Sequence, residues 1–176
     1  ENSNYSFVGA EFGVYSSKSC SSSSKVGTLK ISSGNKSNTL SLFAGTYYVK
    51  ELVAPKGYKL NSSVYTVSVK PETTVKVVSI ENSPKTVGIK LIKKSSNSEV
   101  NGNSKYSLKG AEYGVYKSYV DGKLSDKVGT LVTGSDGTSN SLTKLGKGIY
   151  YIKELKSPAN FKVDKTVYTV KTDYGK

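Results

Sequence analysis

The feature that most constrains this chain is that it is written twice. Residues 5–15, Tyr-Ser-Phe-Val-Gly-Ala-Glu-Phe-Gly-Val-Tyr, return at 106–116 as Tyr-Ser-Leu-Lys-Gly-Ala-Glu-Tyr-Gly-Val-Tyr, identical at 8 of 11 positions with an offset of 101. Lys-Val-Gly-Thr-Leu at 25 returns at 127, Tyr-Tyr-Val-Lys-Glu-Leu at 47 returns as Tyr-Tyr-Ile-Lys-Glu-Leu at 150, and Val-Tyr-Thr-Val at 64 returns at 167. Matches in unchanged order, with offsets drifting only to 102 and 103, mark a duplicated domain with small loop insertions. The 176 residues therefore divide into two small domains, 1–83 and 84–176, with the boundary near Ser83 and Pro84.

Each copy reads as all-β. Ala10, Phe12 and Val14 put apolar side chains on even positions, Tyr47 and Val49 on odd ones, and residues 64–69 are rich in β-branched and aromatic types. Turn signals separate these runs: Ser-Gly-Asn at 33–35, Pro-Lys-Gly-Tyr at 55–58, Asp121-Gly122 and Asp136-Gly137. No helical period of useful length interrupts them. Six or seven short strands per copy, spaced by such turns, predict two tandem Ig-like β-sandwiches. The 14 tyrosines and 4 phenylalanines supply much of the area small cores bury.

Composition removes most chemistry. There is no histidine, which excludes Ser-His-Asp and Cys-His nucleophile systems and histidine-ligated metals, so neither an enzyme nor a metal or cofactor site is expected. The net charge is +13, yet every basic residue is lysine, scattered along the chain and often at alternate strand positions. Base readout leans on the arginine fork, so the lysines read as a solvated face and no nucleic-acid partner is expected; a polyanion of the cell wall is a weak, nonspecific partner. Cys20, the only cysteine, lies in a Ser- and Lys-rich run and reads as an exposed loop thiol. No stretch approaches the roughly 20 apolar residues of a membrane span, and no membrane partner is expected. No export or sorting signal is visible, so those of an exported, anchored parent would lie outside these residues.

Alternation also turns polar groups inward. Val87, Ile89 and Leu91 form one face of a strand, and Lys93 continues it while Lys90 and Lys94 fall on the other side. The same parity sets Glu51 beside Tyr47 and Val49, Glu154 beside Tyr150 and Ile152, and Asn82 beside Val78 and Ile80. Buried lysine and glutamate need partners or must shed their charge, and desolvation drives the lysine pKa down and the glutamate pKa up. A neutral amine is a nucleophile, and a protonated carboxyl can polarise a carboxamide towards it. The product is a Lys–Asn isopeptide bond with loss of ammonia, the acid serving as proton shuttle. The competing reading has Lys93 snorkelling outward, the glutamates in ordinary ion pairs and Asn82 capping a turn before Pro84. Parity alone leaves both open.

The residues that tip this balance are Gly9-Ala10-Glu11-Phe12, Gly110-Ala111-Glu112-Tyr113, and the stretch from Gly45 through Glu51 and Ala54-Pro55 to Gly57-Tyr58. The second copy keeps Glu154 and Pro158 of that stretch but replaces its Gly-Tyr end. Over essentially its whole length the chain resembles the Cna B-type (SpaA-like, prealbumin-like) domains of Gram-positive pilins and surface adhesins, whose E-box the stretch at 45–58 matches.

That resemblance implies prealbumin-like β-sandwiches. It also implies a lysine from the first strand, an acid from the E-box and an asparagine from the last strand, with first and last strands adjacent. Carried over, Glu51 and Asn82 belong to the first copy and Lys93 and Glu154 to the second. The first copy is then expected to lack its first strand, and the second its last. The implied role is structural and non-enzymatic: a stalk module of a secreted, cell wall-anchored pilus or adhesin. Its partners would be adjacent domains of the same surface protein or pilus, with host extracellular matrix reached through other domains. The alternative is an adhesin domain that itself binds a matrix protein or glycan, but loops of Ser, Lys, Asn and Gly rather than clustered aromatics favour the stalk.

Overall fold

The computed structural model describes residues 4–71 and 75–174. The chain forms two compact units, Glu1–Lys85 and Thr86–Lys176. Both are built from strands joined by turns and single 3-10 turns, with no α-helix among the described residues.

In the first unit, β1 (Glu11–Tyr15), β2 (Lys25–Lys30), β3 (Gly45–Val53) and β4 (Val64–Val69) form one antiparallel sheet in the order β2-β1-β3-β4. In the second, β6 (Glu112–Val120), β7 (Lys123–Val132), β9 (Gly148–Lys156) and β10 (Val167–Thr172) repeat it as β10-β9-β6-β7. Opposite lies a two-stranded sheet of β5 (Val87–Ile89) and β8 (Leu142–Leu145). Both copies pack the same face of the larger sheet: Ala10, Phe12, Val14, Val49 and Val67 in the first, Ala111, Tyr113, Val115, Leu131, Tyr150 and Ile152 with Ile89 in the second.

The repeated motifs owe their glycines to close packing. A Cβ on Gly114 would lie 2.5 Å from the Tyr116 ring, and one on Gly13 equally close to Tyr15, so Gly-Val-Tyr is a strand whose tyrosine folds back over its own glycine. In Lys-Val-Gly-Thr-Leu, Gly27 and Gly129 leave room for Leu40 and Leu142, which would lie 2.6 and 2.7 Å from an added Cβ. The predicted Asp121-Gly122 turn joins β6 to β7 with φ of 48° and 74°, the left-handed pair of a tight hairpin.

Among the described residues the second copy forms six strands, within the expected six or seven, and the first forms four, short of it. The difference lies in the second layer. Leu142–Leu145 is a strand because Val87 and Ile89 pair with Leu145 and Leu142. Its first-copy counterpart around Leu40 and Leu42 packs on the core but has no ladder partner among the described residues. Leu42 packs on the first core as Leu145 does on the second, while Phe43, whose carbonyl accepts from the Tyr47 hydroxyl as the Gly146 carbonyl does from Tyr150, is 91% exposed.

Candidate functional site

The site in each copy is organised around a buried glutamate. Glu51 and Glu154 lie on β3 and β9, paired with Phe12 of β1 and Tyr113 of β6 respectively. Alternation turns both inward, and each is only 2% exposed. The acid of Gly-Ala-Glu, by contrast, is a surface residue: Glu11 pairs with Lys30 at 2.7 Å, and Glu112 approaches Lys156 at 3.6 Å.

In the first copy the glutamate holds the asparagine. Asn82 Nδ2 donates to Glu51 Oε1 at 3.0 Å and Oε2 at 2.9 Å, and to the Lys59 carbonyl at 3.0 Å. Ile80, two residues earlier on the same face, packs against the core and aims Asn82 at the acid.

In the second copy the glutamate holds the lysine. Lys93 Nζ donates to Glu154 Oε1 at 2.8 Å and to the Tyr113 hydroxyl at 3.0 Å, with its side chain 10% exposed and that of Glu154 fully buried. The backbone from Val87 to Lys93 runs beside β8 and then beside the turn before it. Ser139 N donates to the Leu91 carbonyl, and Lys93 N to the Gly137 carbonyl at 2.8 Å. Gly137 has φ of 79°, and a Cβ there would stand 2.3 Å from the Lys93 carbonyl oxygen. The predicted Asp136-Gly137 turn thus seats the lysine strand.

Burial is the largest single influence on Lys93 and lowers its pKa, but the hydrogen bonds to Glu154 and Tyr113 outweigh it, so the pKa is raised. Desolvation alone predicts the opposite sign; the buried acid reverses it. Burial in turn raises the Tyr113 hydroxyl, against the lowering effect of Lys93. Among the described residues no asparagine hydrogen-bonds Glu154, and no lysine amine hydrogen-bonds Glu51 or Asn82. Each copy assembles two of the three predicted groups.

The sequence reading missed a third element of the site. Ten residues after each glutamate, a backbone amide donates to its Oε2: Asn61 N to Glu51 at 2.5 Å and Asp164 N to Glu154 at 2.6 Å. A backbone donor has no side-chain signature, though the recurring Asx-x-Ser/Thr-Val-Tyr spelling at 61–65 and 164–168 marks the place. The Gly57-Tyr58 end, replaced in the second copy, is preserved there in shape. Asn160 takes φ of 65° where Gly57 has 84°, and Phe161 packs edge-on against Tyr106 as Tyr58 does against Tyr5.

The model of the SpaA prealbumin-like fold domain matches residues 1–84 and again 89–176. The chain belongs to the SpaA family, in two copies. No curated protein matches it. Among solved structures, the SpaA pair is similar to the Bacillus anthracis TIE protein, with a TM-score of 0.65 and 20% identity over 98% of this chain and 29% of that one. The chain therefore spans under a third of that protein, and the likeness is one of fold. It also aligns with the C-terminal fragment of the pilus adhesin SpaC from Lactobacillus rhamnosus GG (TM-score 0.43, 15% identity, 97% and 76% of the chains). A third match is BcpA, the major pilin subunit of Bacillus cereus (TM-score 0.38, 13% identity, 98% and 93%). No helix of the described SpaA domains is long and apolar enough to cross a membrane.

Proposed function

We propose that each domain is a stalk module of a Gram-positive pilus or surface adhesin, closed by a Lys–Asn isopeptide bond whose proton shuttle is Glu51 in the first copy and Glu154 in the second. The observation that carries this reading is the pairing of each buried acid with one of the two reactants, Asn82 in one copy and Lys93 in the other. The copies are halves of the same reaction centre.

The chemistry balances within the three side chains. The lysine ammonium passes a proton to the glutamate, a transfer that burial assists and that the hydrogen bonds holding Lys93 protonated oppose. The free amine attacks the asparagine Cγ, forming the C–N bond. The glutamate then relays a proton to Nδ2, which leaves as ammonia. Asn82 Nδ2 already rests against Glu51 and so suits this last step. Polarising the carbonyl first requires the carboxamide to turn over, exchanging its bond to the Lys59 carbonyl for one from a protonated Glu51 to Oδ1.

Such a bond ties the first strand of a domain to its last and closes a loop of roughly 90 residues. If it acts on the unfolded chain as a disulfide does, it stabilises by roughly 4 to 5 kcal/mol. Pulling force entering one bonded strand leaves through the other and bypasses the rest of the sheet. This suits an extracellular, wall-anchored stalk linked to neighbouring domains of the same protein, and it calls for no substrate turnover.

The test supplies the second copy with the asparagine-bearing segment of the first. Residues 74–83 are appended directly after Lys176, which places their asparagine at the offset of 103 that relates the copies. The expected mass is about 17 Da below the calculated one, the ammonia lost on amide formation. Glu154→Ala in the same chain retains the full mass. A full mass in the wild-type sequence, with the added strand protected from hydrogen exchange, overturns the crosslink; an unprotected strand overturns the strand assignment.

A further inference from the structure

The geometry assigns to Asp164 a role nothing in its side-chain chemistry announces: it is a positioning residue for Glu154, its backbone amide pinning Oε2 so that Oε1 is presented to Lys93. Asn61 does the same for Glu51. The inference deepens the crosslinking reading and rests on it for its catalytic consequence, though not for its structural content.

The observation is a three-part clamp built twice. Besides the amide bond to Oε2, each Asx side chain closes a turn on itself. Asn61 Oδ1 accepts from Ser63 N at 3.0 Å, and Asp164 Oδ1 from Thr166 N at 2.9 Å. Each is also tied to the tyrosine four residues on: Asn61 Nδ2 donates to the Tyr65 hydroxyl at 2.8 Å, and the Tyr168 hydroxyl donates to Asp164 Oδ2 at 2.6 Å. The polarity of that last bond reverses between amide and carboxylate, yet the backbone amide ends in the same place. The clamp therefore depends on the shape of an Asx turn and not on the charge of its side chain.

The consequence for the acid is an asymmetry between its oxygens. Oε2 is committed to a donor that cannot give up its proton under any physiological condition. In the second copy Oε1 faces Lys93 and Oε2 does not; in the first, Asn82 Nδ2 is shared between Oε1 at 3.0 Å and Oε2 at 2.9 Å, so the asymmetry is complete only around Glu154. Oε1 is then the oxygen that accepts a proton from the amine and hands it on. A shuttle held in one orientation loses no rotational freedom during transfer.

Lys93 reports on the clamp. It is faced by Glu154 from β9, Tyr113 from β6, Asp164 from the loop before β10 and Tyr168 from β10, with Lys90 and Lys94 on its own segment. The Lys93 Nζ and Cε resonances are followed by NMR through a pH titration of the 176-residue chain as wild type, Asp164→Asn and Asp164→Ala. Asp164→Asn, the residue the first copy uses, should keep Lys93 titrating apart from the surface lysines. Asp164→Ala should bring it towards them while the amide spectrum of the domain stays folded. If Ala and Asn behave alike, Asp164 acts through charge alone and the positioning role is lost; the same holds if neither moves Lys93.

The catalytic arm uses the chain carrying the appended strand. Asp164→Ala should slow the mass loss by at least about tenfold, the scale of a misplaced catalytic group, with Asp164→Asn recovering to within a few-fold of wild type. An unslowed Asp164→Ala rejects the catalytic consequence. Absence of any mass loss in wild type sinks the crosslinking reading instead, and leaves the Lys93 titration to decide the clamp.

Discussion

Lys93 Nζ stands 2.8 Å from Glu154 Oε1 with 10% of one side chain and none of the other exposed to solvent. An ion pair in such a place is poor evidence of stability in itself, because desolvation of both ions offsets most of their attraction. Removing one partner is another matter. Glu154→Ala leaves a buried amine with the Tyr113 hydroxyl as its remaining hydrogen-bond partner and should cost about 3 to 5 kcal/mol in the second domain. The double change Lys93→Met with Glu154→Leu should recover most or all of that loss, as apolar isosteres of buried pairs do. Calorimetry of the second-domain transition for the single and double variants checks both signs. A single variant as stable as wild type would mean that water reaches the amine.

The seat of Lys93 makes a sharper geometric claim. Gly137 and Gly122 share a left-handed φ, 79° and 74°, but an added Cβ meets the Lys93 carbonyl oxygen at 2.3 Å in the first case and nothing within 4 Å in the second. Gly122→Ala should therefore cost only the conformational term, about 1 kcal/mol. Gly137→Ala should cost at least about 2 kcal/mol and displace the lysine strand. Chemical denaturation ranks the two, and equal losses would show that the close approach is not there.

Acid should act on the second domain through Asp164. The Tyr168 hydroxyl, with the Thr166 side chain and amide, holds its carboxyl down to about 2. A carboxyl lowered on folding stabilises above its ordinary value near 3.8 and loses that contribution as the pH falls towards 2. The second-domain melting temperature should fall between about pH 4 and pH 2 in wild type and fall less steeply in Asp164→Asn. Parallel curves for the two would remove Asp164 from the acid response.

Much of this architecture was legible because strands write their parity into the sequence. The duplication marked two domains, and alternation pointed Glu51, Glu154, Asn82 and Lys93 inward while leaving the outward, ion-paired reading open. What stayed hidden was whatever depends on contact across the chain. The Asn61 and Asp164 amides carry no side-chain signature. Gly137 read as a turn glycine, and its role under Lys93 appears only when the lysine strand is laid beside it. The raised pKa of Lys93 reversed the sign that burial alone predicts, because desolvation can be read from parity and partner distance cannot. The strand count fell short in the first copy because the extended segment around Leu40 and Leu42 becomes a strand only when something pairs with it.

The copies differ at a position that touches the Lys93 amine. Tyr113 hydrogen-bonds Lys93 at 3.0 Å, while the first copy has Phe12 there, paired with its glutamate in the same register. The phenol acts on Lys93 in two ways, as hydrogen-bond acceptor and through its charge interaction, and both raise the amine pKa. Tyr113→Phe should lower it. The sign for stability follows: a lysine raised on folding contributes below its ordinary value near 10.5 and loses that contribution as the pH climbs through the folded one, so the variant should lose stability at neutral pH. Its effect on the crosslink should be opposite. A larger neutral fraction of amine speeds attack, and in the chain carrying the appended strand the mass loss at neutral pH should run a few-fold faster. Time-resolved intact mass against pH separates these effects, because an amine of lower pKa moves the rising limb of the rate profile to lower pH. If the limb stays in place while the rate falls, the hydroxyl positions Lys93 for attack and does not restrain it.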